Sequence, residues 1–307
     1  MNEELKKVVV VGGSGFIGTK LTEELLFRGY SVGIVDLVPP RTTHQHLTFL
    51  KADFAKDVPP ANLFEGVYGV VNLAGATIGK RWSKEYKNLI YKSRIDTTKS
   101  IVSLISKTTV RPMVLVSASA VGYYGDRKEE LLSESELPGT DFLANVCIDW
   151  EREAKKAELS GVRVCMVRTA HVLGPGGILA TLEPIFKLGL GGYFGKGDQY
   201  MPWIHYKDVV GIYTFALEQQ ISGPINVSAG APVTQKNMFT QFAHIIGAPF
   251  PFIFRIPKFF AWIALGDFAE SLFVSQNTNS TRIKSLGYHY QCDDLTAALL
   301  NIYKKGQ

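Results

Sequence analysis

The chain has 307 residues, 46% of them hydrophobic and 20% charged. That is enough for one large α/β unit, or for a nucleotide-binding core with a smaller lobe. Its formal net charge of +5 is spread without blocks of like sign, which argues against the concentrated Lys/Arg stripe of a dedicated nucleic-acid binder. Three widely separated cysteines, Cys147, Cys165 and Cys292, form no CxxC pair and no Cys/His cluster with ligand spacing. Reduced thiols in a cytoplasmic protein are therefore expected, with no metal site and no disulfide framework.

The first residues run straight toward a strand without the apolar core of a signal peptide. Val8 to Val11 is a continuous β-branched run, as in a parallel strand buried on both faces. Glycines follow, then an amphipathic helix from about Phe16 to Arg28, with Gly29 at its C-terminal cap. A second strand, Ser31 to Asp36, ends before the Pro39-Pro40 turn. Further strands are predicted at Leu47–Lys51, Gly69–Leu73, Met113–Ser117 and Arg163–Val167, with helices at about Lys84–Ser106 and Asp141–Leu159. This alternation predicts an α/β fold with a doubly wound parallel sheet of Rossmann type.

After Arg168 the character shifts. Glycine-rich loops at Gly174–Gly177 and Gly189–Gly197 surround one helix. A helix at about Asp208–Glu218 and a strand at Ile225–Val227 are predicted to return to the sheet. The tail from Val233 reads as three or four helices ending at Tyr303. The expected organisation is a dinucleotide-binding domain over residues 1–170, with 205–230 returning to it. A mostly helical substrate lobe would comprise 171–204 and 231–307. The most apolar stretch, Phe250 to Val274, is broken by Arg255, Lys258, Asp267, Glu270, Pro251 and Pro257, so it is not a membrane span. Its second half is predicted to be an amphipathic helix packed within the lobe. No membrane partner is expected, surface association being the lesser alternative.

The strongest chemical motif is Gly12-Gly13-Ser14-Gly15-Phe16-Ile17-Gly18, between a predicted strand and a predicted helix. Glycines there permit a tight turn and close approach of backbone to pyrophosphate, and the helix N-terminus offers free N–H groups to the anion. Gly12, Ser14, Gly15, Phe16, Ile17 and Gly18 are thus cofactor-binding candidates. Asp36, 18 positions after Gly18, ends the second strand. A carboxylate there accepts hydrogen bonds from adenosine ribose hydroxyls and repels a 2′-phosphate, which favours NAD over NADP. NADP stays possible, because Arg41 follows five residues later and could reach a 2′-phosphate. Asp53 is a candidate for the adenine amino group. Asn72, Ala74 and Gly75 end the fourth strand where it would pass beneath the cofactor.

With these pieces the chain resembles an extended short-chain dehydrogenase/reductase of the NAD(P)-dependent epimerase/dehydratase type over nearly its whole length. The resemblance rests on the Gly12–Gly18 turn, Asn72–Gly75, Ser117-Ala118-Ser119, Val121–Gly125, Arg168 through Gly174-Pro175, and Trp203-Ile204-His205 with Asp208. More narrowly it is similar to an atypical subgroup carrying a C-terminal extension of unassigned function. Arg81-Trp82, Ser93-Arg94, Phe142-Leu143-Ala144, Cys147 and Trp150-Glu151 fit that subgroup.

The resemblance implies a Ser/Thr, a Tyr and a Lys spaced YxxxK, and an Asn on an earlier helix. Here the Tyr position falls on Leu143, the Lys position on Cys147 and the Asn position on Arg94. Only the serine remains, at Ser119, with Ser117 beside it. Ser117 and Arg168 complete the cofactor-side candidates. Tyr123 and Tyr124 are the nearest tyrosines able to replace the missing acid–base group. Cys147 reads as an inert core thiol, and His205 as a brace at the lobe junction. His171 has no evident partner. Lys196 and Gln199 could touch substrate, and Trp82 and Trp203 could wall the cleft.

The expected function is NAD(P)-dependent oxidoreductase or epimerase chemistry on an unidentified small polar substrate, anionic or neutral. Ser119 would polarise the substrate oxygen, Arg94 would orient it, and Tyr123 or Tyr124 would shuttle the proton. A dinucleotide-binding sensor or scaffold with little catalysis is the alternative. The sequence leaves monomer and homodimer both open.

Overall fold

Residues 5–249 and 254–304 are described by a computed structural model; Phe250 and Pro251 lie outside them. In chain order β1 (Lys7–Val11) leads through the glycine turn into α1 (Phe16–Phe27), β2 (Ser31–Asp36), β3 (Leu47–Lys51) and β4 (Gly69–Asn72). There follow α2 (Lys84–Lys107), β5 (Val114–Ala120), β6 (Leu131–Leu132), α3 (Phe142–Lys155), β7 (Arg163–Thr169) and β8 (His171–Leu173). Next come α4 (Ile178–Lys187), β9 (Gly192–Phe194), β10 (Trp203–His205), α5 (Tyr206–Glu218) and β11 (Gly223–Val227). The remaining elements are α6 (Gln235–Ile245), β12 (Phe254–Ile256), α7 (Lys258–Leu265), α8 (Phe268–Ser271), β13 (Asn277–Thr278), α9 (Thr281–Ser285) and α10 (Leu295–Tyr303).

Seven parallel strands form the main sheet in the order β11-β7-β5-β4-β1-β2-β3. The chain winds outward from β1 through β2 and β3, then returns to the other side of β1 for β4. That reversal opens a crevice at the carboxyl ends of β1 and β4, the switch point where such sheets bind ligands. Valines of β1 feed both faces: Val8 and Val10 join one core cluster, and Val9 and Val11 the other. The first cluster continues into α5, α6 and α10, while the second lies under α2 and α3.

Helix ends follow local chemistry. Ser83 accepts a hydrogen bond from the Tyr86 amide to start α2, and Asp141 accepts one from the Ala144 amide at 2.9 Å to start α3. The predicted helix over 141–159 is shorter as α-helix, since its last turn tightens to a 3₁₀ turn at Lys156–Ser160. β5 runs three residues beyond the predicted strand because β7 pairs with it through Ala120.

The tail departs further from expectation, with five short helices among the described residues. Gly266, at φ 59°, separates α7 from α8. The second half of the 250–274 stretch, expected as one packed amphipathic helix, divides: α8 packs inward through Ala269 and Phe268, whereas in α7 only Ala261 is buried and the large side chains face outward. Small parallel pairs, β8 with β10, β9 with β12 and β6 with β13, tie the lobe together and to the sheet. No helix of the described residues is long and apolar enough to cross a membrane.

Candidate active site

The glycine turn is shaped by close approach. Gly12, at φ 84°, donates its amide to Val35 O at 2.8 Å. A Cβ on it would meet Ala74 N and Leu73 C at 2.8 Å, so the turn lies directly on the end of β4. A Cβ on Gly18 would collide with Gly12 O, which lets α1 sit on the turn. Gly15 is exposed and caps α1 with no side chain, leaving the first-turn N–H groups open to a ligand. The Ser14 hydroxyl oxygen is buried there without a hydrogen-bond partner. Phe16 points elsewhere: a Cβ on Gly174 or Gly176 would meet its ring at 2.7 Å, so it packs beneath that loop. Ile17 packs against the first core cluster.

Asp36 buttresses this turn. Its carboxylate accepts the Ser14 amide at 2.9 Å and the Leu37 amide at 2.7 Å. Asp53 is turned into the next bend, accepting the Ala55 amide at 3.0 Å and facing Lys56 at 3.2 Å. In this arrangement both oxygens brace the bend after β3. Asn72 is fully buried, donating to Thr98 Oγ1 at 2.9 Å and accepting from the Ala74 amide at 3.2 Å. It shapes the loop after β4 rather than touching a ligand with its side chain. Ser117 is likewise buried.

That loop is bound to α2. Ser93 Oγ accepts the Ala76 amide at 2.9 Å, and Arg94 Nη1 donates to Ala76 O at 3.0 Å and Ile90 O at 3.1 Å. The Arg94 guanidinium lies against Gly75, where a Cβ would come within 2.9 Å of Cζ, and over the Trp150 ring at 5.2 Å. No carboxylate lies within ion-pair distance of it among the described residues. Burial pulls its pKa below the ordinary guanidinium value.

Across the crevice a buried polar chain joins β5, α3, β7 and β11. Ser119 Oγ donates to Glu151 Oε1 at 2.6 Å. Arg168 grips the same carboxylate with Nε and Nη2, both at 2.8 Å, and donates Nη1 to the Tyr124 hydroxyl at 2.9 Å. Tyr124 donates to Asn226 Oδ1 at 2.6 Å. Three expectations change. Arg168, expected on the cofactor side, faces the interior at 2% exposure, its guanidinium engaged by Glu151 and Tyr124. Tyr124 is fully buried, and burial pushes its phenol up to about 12, so it is no proton shuttle to the cleft. The single proton of Ser119 is directed to Glu151, so its oxygen meets a substrate as an acceptor and not as the donor that polarises a carbonyl. Tyr123 stays half-buried, its ring 3.5 Å from Arg168 Cζ.

Glu151 was missed from sequence, though a signal existed. Ala144, Cys147, Glu151 and Ala154 form one buried stripe of α3, and a charge in such a stripe needs a partner. Leu143 and Cys147 flank Gly122 just past β5, where a Cβ would lie 3.6 Å from Leu143 Cβ and 4.0 Å from Cys147 Sγ. Burial raises the Cys147 thiol to about 12, with Glu151 adding to the shift, so it is no nucleophile.

Other candidates serve structure. Gln199 donates to Phe194 O at 3.2 Å and Leu272 O at 3.0 Å, and Lys196 is exposed, with no side-chain hydrogen bond or ion pair among the described residues. Trp203 is 1% exposed, whereas Trp82 is clamped between Phe142 and Phe268, each at 5.4 Å. His171 Nδ1 lies 2.9 Å from Pro202 O. Donor atoms of His205, Asp208 and Cys292 lie within 4.8 Å of one another. Asp208, however, accepts the Gln291 amide at 2.7 Å, the Cys292 amide at 3.0 Å and the Tyr288 hydroxyl at 3.1 Å, which anchors the tail to α5.

Comparison with known proteins bears on this geometry. The model of the NAD dependent epimerase/dehydratase family matches residues 8–228, and that of a domain of unknown function (DUF1731) matches residues 256–302. The epimerase family protein Mb2239 of Mycobacterium bovis is 35% identical over 297 residues, 95% of this chain and 96% of that relative. The chloroplastic SDR39U1 homolog of Arabidopsis thaliana is 36% identical over 298 residues, 94% and 84% respectively. Human epimerase family protein SDR39U1 (isoform 2), crystallised with NADPH, superposes with a TM-score of 0.84 at 30% identity, over 97% of this chain and 99% of that one.

Proposed function

The chain belongs to the NAD dependent epimerase/dehydratase family, and from that premise we propose that it moves hydride between a nicotinamide dinucleotide and a small substrate bearing an anionic group. The observation that carries this reading is Arg94, a half-buried guanidinium with no carboxylate partner among the described residues, fixed by two carbonyls against Gly75. Withdrawing a cation from water without a counter-charge is costly, and an anionic ligand offsets that cost. Two carbonyls take up only Nη1, so Nε and Nη2 remain as a fork for a carboxylate or phosphate.

The open first turn of α1, the bare Gly15 and the unpartnered Ser14 hydroxyl suit a pyrophosphate. Asp36 would face the adenosine ribose, and its charge disfavours a 2′-phosphate, so NAD is the favoured cofactor; the human relative was crystallised with NADPH. When bound, the nicotinamide gives or takes the hydride. Ser119, its own proton on Glu151, accepts a hydrogen bond from a substrate hydroxyl and orients it. Tyr123 is the remaining phenol for proton transfer. The lobe formed by 171–204 and 231–307 would close over the substrate. The three free thiols favour a reducing compartment.

A second reading, a dinucleotide-binding sensor, draws on Leu143 and Cys147 standing where the resemblance implies a Tyr and a Lys. Absorbance of the reduced nicotinamide separates the two, measured with aldehydes, ketones and sugar nucleotides with and without a carboxylate. The enzyme reading expects turnover of anionic members that Arg94→Met abolishes, while cofactor affinity is retained. Tight cofactor binding with no turnover across the panel would establish the sensor instead.

A further inference from the structure

Helix α7 is built inside out. Its one buried side chain is Ala261, at 3% exposure, whereas Phe259, Phe260, Trp262 and Ile263 are 65, 62, 52 and 51% exposed. At about 100° per residue these four occupy a single arc of roughly 160°, centred opposite Ala261. Phe254, in β12 just ahead, adds another large side chain at 57% exposure. With about half of each side chain's surface outside, the patch amounts to roughly 500 Å², at the upper end of what a monomer leaves uncovered.

The rim is cationic. Arg255 and Lys258 flank the patch from its own chain. Arg81 approaches from the loop before α2, which reaches α7 where the Arg81 guanidinium donates to Ile263 O. None of these three has a carboxylate within ion-pair distance among the described residues. The nearest acid along the chain, Asp267, is held by Lys87. Glu270 of α8 is exposed and without an ion pair among the described residues, so the surround keeps a positive balance.

We propose that this face of α7 docks the protein peripherally onto an anionic lipid surface. Aromatic rings beside Lys and Arg fit the interface between acyl chains and phosphate headgroups. A second copy fits less well, because a two-fold contact would gather the cations of both rims around one patch with no unpaired acid on α7 to neutralise them. Single-stranded nucleic acid stacks its bases in a groove, whereas α7 is a ridge with only Ala261 buried. The proposal gives a role to a helix inside the domain of unassigned function, and it does not depend on the reaction at the cleft.

Trp262 reports directly on the proposal, because the other three tryptophans, Trp82, Trp150 and Trp203, are 8, 5 and 1% exposed. The full chain is mixed with vesicles of phosphatidylglycerol and phosphatidylcholine, or of phosphatidylcholine alone. Co-sedimentation and a blue shift of tryptophan emission are expected with the anionic vesicles only, both weakening as salt rises. Each cation near a charged surface is worth about fivefold in affinity, so Arg255→Glu with Lys258→Glu should lower binding about 25-fold or more. Phe259→Ser with Phe260→Ser should abolish the blue shift while melting temperature and NADH binding are retained. Absence of co-sedimentation at low salt overturns the proposal. So does a dimer in light scattering that the Phe259/Phe260 variant dissociates, or binding of a single-stranded oligonucleotide lost in the same variant.

Discussion

The two sides of the crevice are made of different material. At the β1–β4 side the useful groups belong to the backbone: open amides of α1, a turn of glycines, and a loop that approaches because Gly12 and Gly75 have no Cβ. At the β5–β7 side the useful groups are side chains, and most already serve one another, from Ser119 through Glu151 and Arg168 to Tyr124 and Asn226. The first side leaves its donors open. The second is arranged to hold four elements in register, and it presents to the crevice only what that task leaves over.

Removing the hub of the second side should have the largest effect. Glu151→Ala strands the Arg168 guanidinium at 2% exposure, and breaking a buried pair in this way costs about 3–5 kcal/mol. Urea unfolding measures it, and Glu151→Ala combined with Arg168→Met should recover much of the loss. A loss under about 1 kcal/mol for the single variant would mean that water reaches the pair and that this side is not sealed.

Sealing also has a pH signature. The Cys147 thiol is held at about 12 by burial, against about 8.5 in an unfolded chain. The folded state therefore keeps the proton longer. The stabilisation is complete below about pH 8.5 and is lost as pH climbs toward the folded value. Between pH 9 and 11 this one thiol should remove about 1 kcal/mol per pH unit, or about 2 kcal/mol in all. Cys147→Ala should show a correspondingly shallower alkaline slope in denaturant titrations. Equal slopes in the two proteins would show that water or the Arg94 charge stabilises the thiolate in place.

The first side is tested by a pair of glycines with the same backbone. Gly12 and Gly29 both have φ 84°, yet a Cβ on Gly29 would meet nothing within 4 Å, while one on Gly12 would meet the Leu73–Ala74 backbone at 2.8 Å. Gly29→Ala therefore carries the left-handed conformation alone, about 1 kcal/mol. Gly12→Ala should cost about 1–3 kcal/mol more through overpacking and should abolish NADH binding. Matching thermal melts and NADH titrations for the two variants would mean that turn geometry, not close approach, governs the site.

This contrast explains what could be read from the residues beforehand. The parallel sheet and the glycine turn were legible because their chemistry is local: a β-branched run, glycines at fixed spacing, and a carboxylate at the next strand end. The Ser119–Glu151–Arg168 chain joins residues 17 and 32 apart in sequence. Each of these three residues is also an ordinary one for its own element. Glu151 alone carried a warning, as a charge inside the buried stripe of α3. The outward face of α7 was misjudged for a related reason. Its apolar arc defines a face but not its direction, and the small Ala261 proved to be the inward contact.

Asp36 belongs to the readable side, yet its two tasks cannot be told apart by position. Its carboxylate buttresses the turn by accepting the Ser14 and Leu37 amides at 2.9 and 2.7 Å, and its charge would repel a 2′-phosphate. Asp36→Asn separates them, since the amide oxygen still accepts a hydrogen bond while the charge is gone. If charge selects the cofactor, wild type binds NADH more tightly than NADPH. Asp36→Asn should then narrow that ratio about tenfold, or about 1.4 kcal/mol, chiefly by strengthening NADPH. Fluorescence titration of both nucleotides against both proteins reads the change. A wild type that prefers NADPH, with a ratio unmoved by the substitution, would leave Asp36 as a buttress alone. Discrimination would then pass to the exposed Arg41 side chain on the loop beyond.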